Sequence, residues 1–145
     1  MAKIMKTKAE RLPCASEADE QQMLMEWVRL AACKWPELRL MHHIPNEGKR
    51  SIPTAMQLKR MGLRVGVPDI CLPVARGGYH GLYIELKRVR GGKLSNEQRE
   101  WLEALACEGY CARVCKGWRE AAELTCKYLS GGVKRAAAQL TGDEK

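Results

Sequence analysis

Phenylalanine is absent from the 145 residues, and with four tryptophans present that absence excludes nothing. Other absences exclude more. No apolar run approaches the roughly 18 residues that a membrane-spanning helix needs, and the N-terminus lacks the apolar core of a secretory signal. The expectation is therefore a cytoplasmic protein with no membrane partner. Seven cysteines, an odd number without a single CxxC pair, argue against both a disulfide framework and a structural zinc site, and for reduced thiols. Acidic residues are in deficit, 17 against 25 lysines and arginines. The resulting charge of +8 makes a polyanion the first partner to consider.

What remains is the composition of one ordinary folded domain, long enough to bury roughly 70% of its unfolded surface without staples. Residues 1–16 are basic, contain Pro13 and show no period, and read as a mobile arm. From Glu17 to about Lys34 the apolar residues Met23, Leu24, Trp27, Val28, Leu30 and Ala31 recur at helical steps. Ser16 is placed to cap that helix, and Glu17, Asp19 and Glu20 suit its first turn. Pro36 stops it. Leu38 to Ile44 reads as a strand, Pro45 to Arg50 as a loop, and Thr54 to Met61 as a short helix ending at Gly62. Strands are expected over Val67–Ala75 and Gly81–Arg88, then a helix opened by the capping box Ser95…Gln98 and running to about Glu108. A strand over Tyr110–Cys115 and an amphipathic helix over Trp118–Leu129 complete a domain of residues 17–129, and residues 130–145 read as a loose tail. The order predicts a mixed α/β fold with a sheet covered on both faces.

The chemistry concentrates in Pro68-Asp69 and Glu85-Leu86-Lys87. A hairpin centred on Gly77 places Asp69 opposite Glu85. Directly opposed residues of an antiparallel pair point to one face, with Cβ atoms about 5 Å apart, and Lys87, two residues on, shares that face. Two carboxylates and a lysine so arranged can hold a hard divalent cation; oxygen ligands suit Mg²⁺ or Mn²⁺ and match Zn²⁺ poorly. The pair closes the apolar run Leu82-Tyr83-Ile84, where charge is costly unless partnered. A basic loop with Arg88, Arg90 and Lys93 follows at once, where a phosphate backbone would need it. Lys59, Arg60 and Arg64 form a second basic group before Asp69.

Gly66-Val67-Pro68-Asp69, Tyr83-Ile84-Glu85-Leu86-Lys87 and Gln98-Arg99-Glu100-Trp101 resemble, in order, the successive motifs of the VRR-NUC (virus-type replication-repair nuclease) branch of the PD-(D/E)XK nucleases. The segments His43-Ile44-Pro45-Asn46 through Lys49-Arg50-Ser51, and Ser16-Glu17 through Gln21, are similar to phage and bacterial members. Glu47 stands where these relatives usually show glycine. The resemblance implies a restriction-endonuclease-like fold and a metal-dependent DNA endonuclease. It implies Asp69, Glu85 and the Leu86 carbonyl as metal ligands, Lys87 as the catalytic lysine and Gln98 as an accessory polar residue. The helix-one glutamate falls on Glu17 or Glu20. Glu17 is favoured because it lies one turn before Gln21 on the same face, leaving Glu20 as an exposed first-turn charge. The small stand-alone members imply structure-selective cutting, of the junction-resolving or nicking kind, by a homodimer.

The remaining residues carry blander expectations. His42 and His43, adjacent on a strand, face opposite sides and read as structural; His80 reads as exposed. Trp101 reads as core, and Cys71, Cys107, Cys111, Cys115 and Cys126 as small buried apolar residues. Gln98 can serve both the helix cap and the site only if its side chain leaves the cap. The competing function is a basic DNA-binding accessory protein with an inert nuclease-like core, against which the complete Asp69, Glu85 and Lys87 set speaks.

Overall fold

The computed structural model describes residues 14–45 and 51–136. Most of the N-terminal arm, the loop bearing Glu47 and the last residues of the chain lie outside the described residues. Four helices, α1 (Glu17–Ala31), α2 (Ile52–Arg60), α3 (Asn96–Cys107) and α4 (Trp118–Leu129), accompany a sheet of β1 (His42–His43), β2 (Ile70–Leu72), β3 (Leu82–Lys87) and β4 (Cys111–Lys116). The strands lie in the order β1-β2-β3-β4. The first three run antiparallel, and β4 joins β3 in parallel through the α3 crossover.

Ile70 faces Ile84, Cys71 faces Tyr83 and Leu72 faces Leu82, which is the register of a hairpin centred on Gly77. Strand alternation then sorts the chemistry. Leu82, Ile84 and Leu86 enter the main core with Leu24 and Val28 of α1 and Tyr128 and Leu129 of α4. Tyr83, Glu85 and Lys87 face the other way, where α3 packs beside β4. The mixed sheet is thus covered on both faces, as the element order predicts.

Three elements differ from the sequence expectation. Of the strand read over Val67–Ala75, only Ile70–Leu72 is strand. The stretch read as a strand from Leu38 forms a 3₁₀ turn over Pro36–Leu40 before the two-residue β1. Pro36 presets a turn-compatible φ, and Leu38 alone goes fully into the core while Arg39 and Leu40 stay exposed. The segment after α4 is not loose where it is described. Val133 packs on the core, and the Arg135 N–H donates to the Gly77 carbonyl at 2.8 Å.

Helix α2 stands apart. It is capped by Ser51 and buries none of its residues, and Ile52, Met56, Met61 and Val65 on and after it are exposed. By contrast α1 is locked down. Glu20, Leu24 and Val28 form an i, i+4, i+8 row that faces the interior. Glu20 is only 5% exposed, which corrects its reading as an exposed first-turn charge. Its Oε2 accepts the Trp118 N–H at 2.7 Å, supplying the N-terminal cap that Gly117 has no side chain to give. Gly117 is required here: its φ is +85°, and a Cβ would sit 2.8 Å from a Val89 methyl and 3.5 Å from the Glu20 carboxylate.

Among the described residues no helix is long and apolar enough to cross a membrane. The helix-to-helix cap gives a stability prediction. Glu20→Ala is expected to cost about 1–2 kcal/mol, the range for losing a helix N-cap, and Glu20→Gln, which keeps an acceptor, should recover most of it. Urea-denaturation midpoints of the three proteins measure both effects.

Candidate active site

Asp69 enters the site from the residue before β2, one step beyond the Ile70–Ile84 pair and so across from Glu85. Its backbone and side chain are both held. Its carbonyl accepts from the Ile44 N–H at 2.7 Å and from His43 Nδ1 at 2.9 Å. Its Oδ2 accepts the Leu86 N–H at 2.9 Å. The carboxylate is therefore fixed between β1 and the end of β3. Gly66, three residues upstream, allows this approach. Its φ is +92°, and a Cβ would lie 2.6 Å from the Glu97 carbonyl carbon, so only glycine lets the Pro68-Asp69 segment sit on the first turn of α3.

Glu85 and Lys87 end in a desolvated network, 1% and 5% exposed. Lys87 Nζ lies 3.1 Å from Glu85 Oε1 and donates to Gln98 Oε1 at 3.1 Å. Gln98 Nε2 donates to Glu85 Oε1 at 2.6 Å. The same Gln98 Oε1 accepts the Ser95 N–H at 2.9 Å, and Ser95 Oγ accepts the Gln98 N–H at 3.2 Å. The glutamine thus serves the cap and the site together, without leaving the cap, because a carbonyl oxygen has two lone pairs. On the same face, burial and the neighbouring Cys71 thiol push the Tyr83 phenol up to about 12, so it stays neutral at physiological pH.

Glu17 separates from Glu20 by position. Glu20 caps α4 in the interior, whereas Glu17 reaches to 3.9 Å from Lys87 Nζ and borders two cavities. The first, about 230 Å³, is lined by Glu17, Gln21, His43, Asp69 and Leu86 among others. The second, about 360 Å³, is lined by Glu17, Val65, Gly66, Lys87, Lys93 and Gln98 among others. One cavity is acidic and the other basic, with Glu17 on both. Glu85 borders neither; its carboxylate is turned toward Gln98 and Lys87.

The donors of the acidic cavity suit a hard divalent cation. Asp69 and Glu17 bring carboxylates, and Mg²⁺ typically takes one or two of these and keeps several waters. Among the described residues no three His, Cys, Asp or Glu side chains are already gathered as a cage. Such an ion would complete its shell with backbone oxygen and water.

Lys93 reaches the basic cavity, while Lys59, Arg60, Arg64, Arg88 and Arg90 are exposed and line neither cavity. His80 is exposed, stacked edge-on to Tyr110. Cys71, Cys111 and Cys115 are buried, and burial pushes the Cys115 thiol up to about 12. Cys107 is exposed and Cys126 half-buried, a correction to the uniform reading of the cysteines. Cys107 is the last residue of α3, where the helix end faces outward. Trp101 is half-buried and outside the main core cluster, because α3 lies on the opposite side of the sheet. His43, read as structural, lies on the acidic cavity. Its place beside Asp69 depends on β1–β2 pairing across residues far apart in the chain.

Removing the Gln98 side chain breaks the reciprocal half of the capping box and strips a donor from Glu85 and an acceptor from Lys87 at one stroke. Gln98→Ala is expected to lower stability by about 2–3 kcal/mol, a lost capping-box bond plus buried charged groups left unsatisfied. Ser95→Ala, which touches only the cap, should cost about 1 kcal/mol. Denaturant titration of both variants checks the difference.

Comparison with curated proteins finds no match. A solved structure described as a VRR_NUC domain protein superposes with a TM-score of 0.72 at 35% sequence identity, over 89% of this chain and 100% of that one. The family model of the VRR-NUC domain matches residues 6–118. That span takes in Glu17, the Asp69 segment, the whole of β3 and the Gln98 cap, and the chain belongs to the VRR-NUC domain family.

Proposed function

We propose that the protein is a divalent-metal-dependent DNA endonuclease that hydrolyses phosphodiester bonds, with Mg²⁺ or Mn²⁺ as cofactor and branched or otherwise structured duplex as substrate. The observation that carries this reading is the meeting of Asp69, Glu85, Lys87 and Gln98 at one strand end, with Glu17 between an acidic and a basic cavity. Asp69, the Leu86 carbonyl and Glu17 would hold the ion on the acidic cavity, and Glu85, now turned toward Gln98 and Lys87, would join them by swinging its carboxylate toward the ion. When bound, the ion lowers the pKa of a coordinated water and offsets charge on the phosphoryl oxygens.

The chain's own residues do the rest. Glu85 and Gln98 hold Lys87 Nζ in a fixed place, so its charge is preorganised for a developing oxyanion and needs no reorganisation during the reaction. Lys93, on the same cavity, draws in a phosphate. Arg88, Arg90, Lys59, Arg60 and Arg64 would follow the backbone on either side and position the duplex without reading bases. One domain carries one such centre, so a paired cut in two symmetric strands would take a homodimer.

Asp69→Asn is the cleanest test, because the amide oxygen can still accept the Leu86 N–H while the anionic ligand is lost. Cleavage in Mg²⁺ should fall by roughly a thousandfold, the scale of losing a charge-stabilising group, with the thermal transition unchanged and DNA binding retained. Cleavage at the wild-type rate would overturn the assignment. Glu85→Gln should also abolish cutting, but it leaves Lys87 buried beside a neutral partner and is expected to cost about 3 kcal/mol of stability.

The basic groups make a separate prediction. In Ca²⁺, Arg90→Ala with Lys93→Ala should weaken all duplex substrates alike and lower the slope of log K against log salt by about 0.9 per lost phosphate contact. An unchanged affinity and slope would mean that DNA enters by another route.

A further inference from the structure

The acidic cavity contains one imidazole, which the proposed reaction does not use. His43 ends β1, and its ring lies on the cavity beside Glu17, Asp69 and Leu86. Its Nδ1 is 2.9 Å from the Asp69 carbonyl oxygen. A carbonyl has no proton to give, so in this bond Nδ1 carries the hydrogen and donates. The neutral ring then holds its lone pair at Nε2. An imidazole whose one nitrogen is tied by N–H to a backbone carbonyl while the other is an open acceptor has the arrangement typical of a metal-ligating histidine. The carbonyl it uses belongs to Asp69, whose carboxylate borders the same cavity.

We propose that His43 supplies, through Nε2, a nitrogen donor to the divalent ion at Asp69, and that this donor tilts the site toward Mn²⁺ over Mg²⁺. The inference rests on the metal-dependent reading above. Oxygen-only sites suit Mg²⁺, whereas imidazole is a ligand for transition metals, and Mn²⁺ accepts mixed oxygen and nitrogen shells. The ring is exposed and sits at the end of a two-residue strand, so an ion can reach Nε2 without unpacking the core and without breaking the Nδ1 bond to Asp69. Its neighbour His42 makes no such approach: its Nδ1 pairs with the Leu40 carbonyl two residues back, and it does not border the cavity.

Two substitutions separate the two ring nitrogens. His43→Asn places an amide N–H near the position of Nδ1 and keeps the donor to Asp69 while removing the acceptor at Nε2. His43→Ala removes both. Calorimetric titration of the metal-free protein should show Mn²⁺ affinity falling roughly tenfold in His43→Asn, with Mg²⁺ affinity changing less than about twofold. Electron spin-echo modulation of the Mn²⁺-loaded wild type should show coupling to an imidazole nitrogen, absent in His43→Asn. Loss of Mn²⁺ and Mg²⁺ affinity in equal measure would mean that the ring only steadies Asp69, and would overturn the proposal. So would a Mn²⁺-loaded wild type without nitrogen coupling. A wild type that binds neither ion defeats the metal-dependent reading itself. Binding of Mn²⁺ with nitrogen coupling but without DNA cleavage defeats the nuclease reading and leaves His43 as a ligand.

Discussion

The Glu85–Lys87 pair cannot stay buried alone, and the rest of the site is arranged around that constraint. Two ionised groups 3.1 Å apart on one strand, almost fully removed from water, are stable only if their remaining hydrogen-bonding capacity is met. Gln98 meets part of it from another element, giving an N–H to Glu85 Oε1 and taking one from the ammonium. Because its oxygen also closes the first turn of α3, the helix start is pinned to the end of β3. The position of α3, the aim of Lys87 and the parallel attachment of β4 are therefore one arrangement.

A second carboxylate plays the matching part on the opposite face. Glu20 ties α1 to the first turn of α4, and with α1 so placed, Glu17 at its start falls beside Lys87. Neighbouring acidic residues on one helix thus divide the work. The inward one fixes the helix and the outward one is presented to the cavities. Gly66 and Gly117 make these docking contacts feasible, each at a positive φ and each where any side chain would strike a neighbouring element.

The two cavities differ in sign because different elements line them. Asp69 borders the acidic side, where the Leu86 amide and the β1 backbone meet it. Lys87, Lys93 and the Gln98 cap line the basic side. Under the proposed metal-dependent reaction, a phosphate lying across Glu17 would meet a cation held in one cavity and the ammonium groups of the other. That is the charge pattern a phosphoryl transfer needs, and it requires residues from α1, β2, β3, the basic loop and α3.

Much of this was legible in the chain. Periodicity and capping residues located α1, α3 and α4, since Ser16 and Ser95 with their partners three residues on are local signals. The hairpin register followed from a single glycine pair, because strand alternation has only two phases and an error of one residue would have exposed Leu82 and Ile84. That register alone set Asp69 against Glu85. What the sequence could not decide depended on contacts between distant segments. Glu20 looked like a surface charge because its partner, the Trp118 N–H, lies on another helix. Gln98 looked divided between cap and site because one oxygen's two partners come from two elements. The stretch after Pro36 read as a strand, whereas Leu38 and Met41 enter the core from a 3₁₀ turn and its exit, leaving only two residues of strand. The place of His43 beside Asp69 was the tertiary structure's to decide, since β1 is two residues long and takes its position wholly from β2.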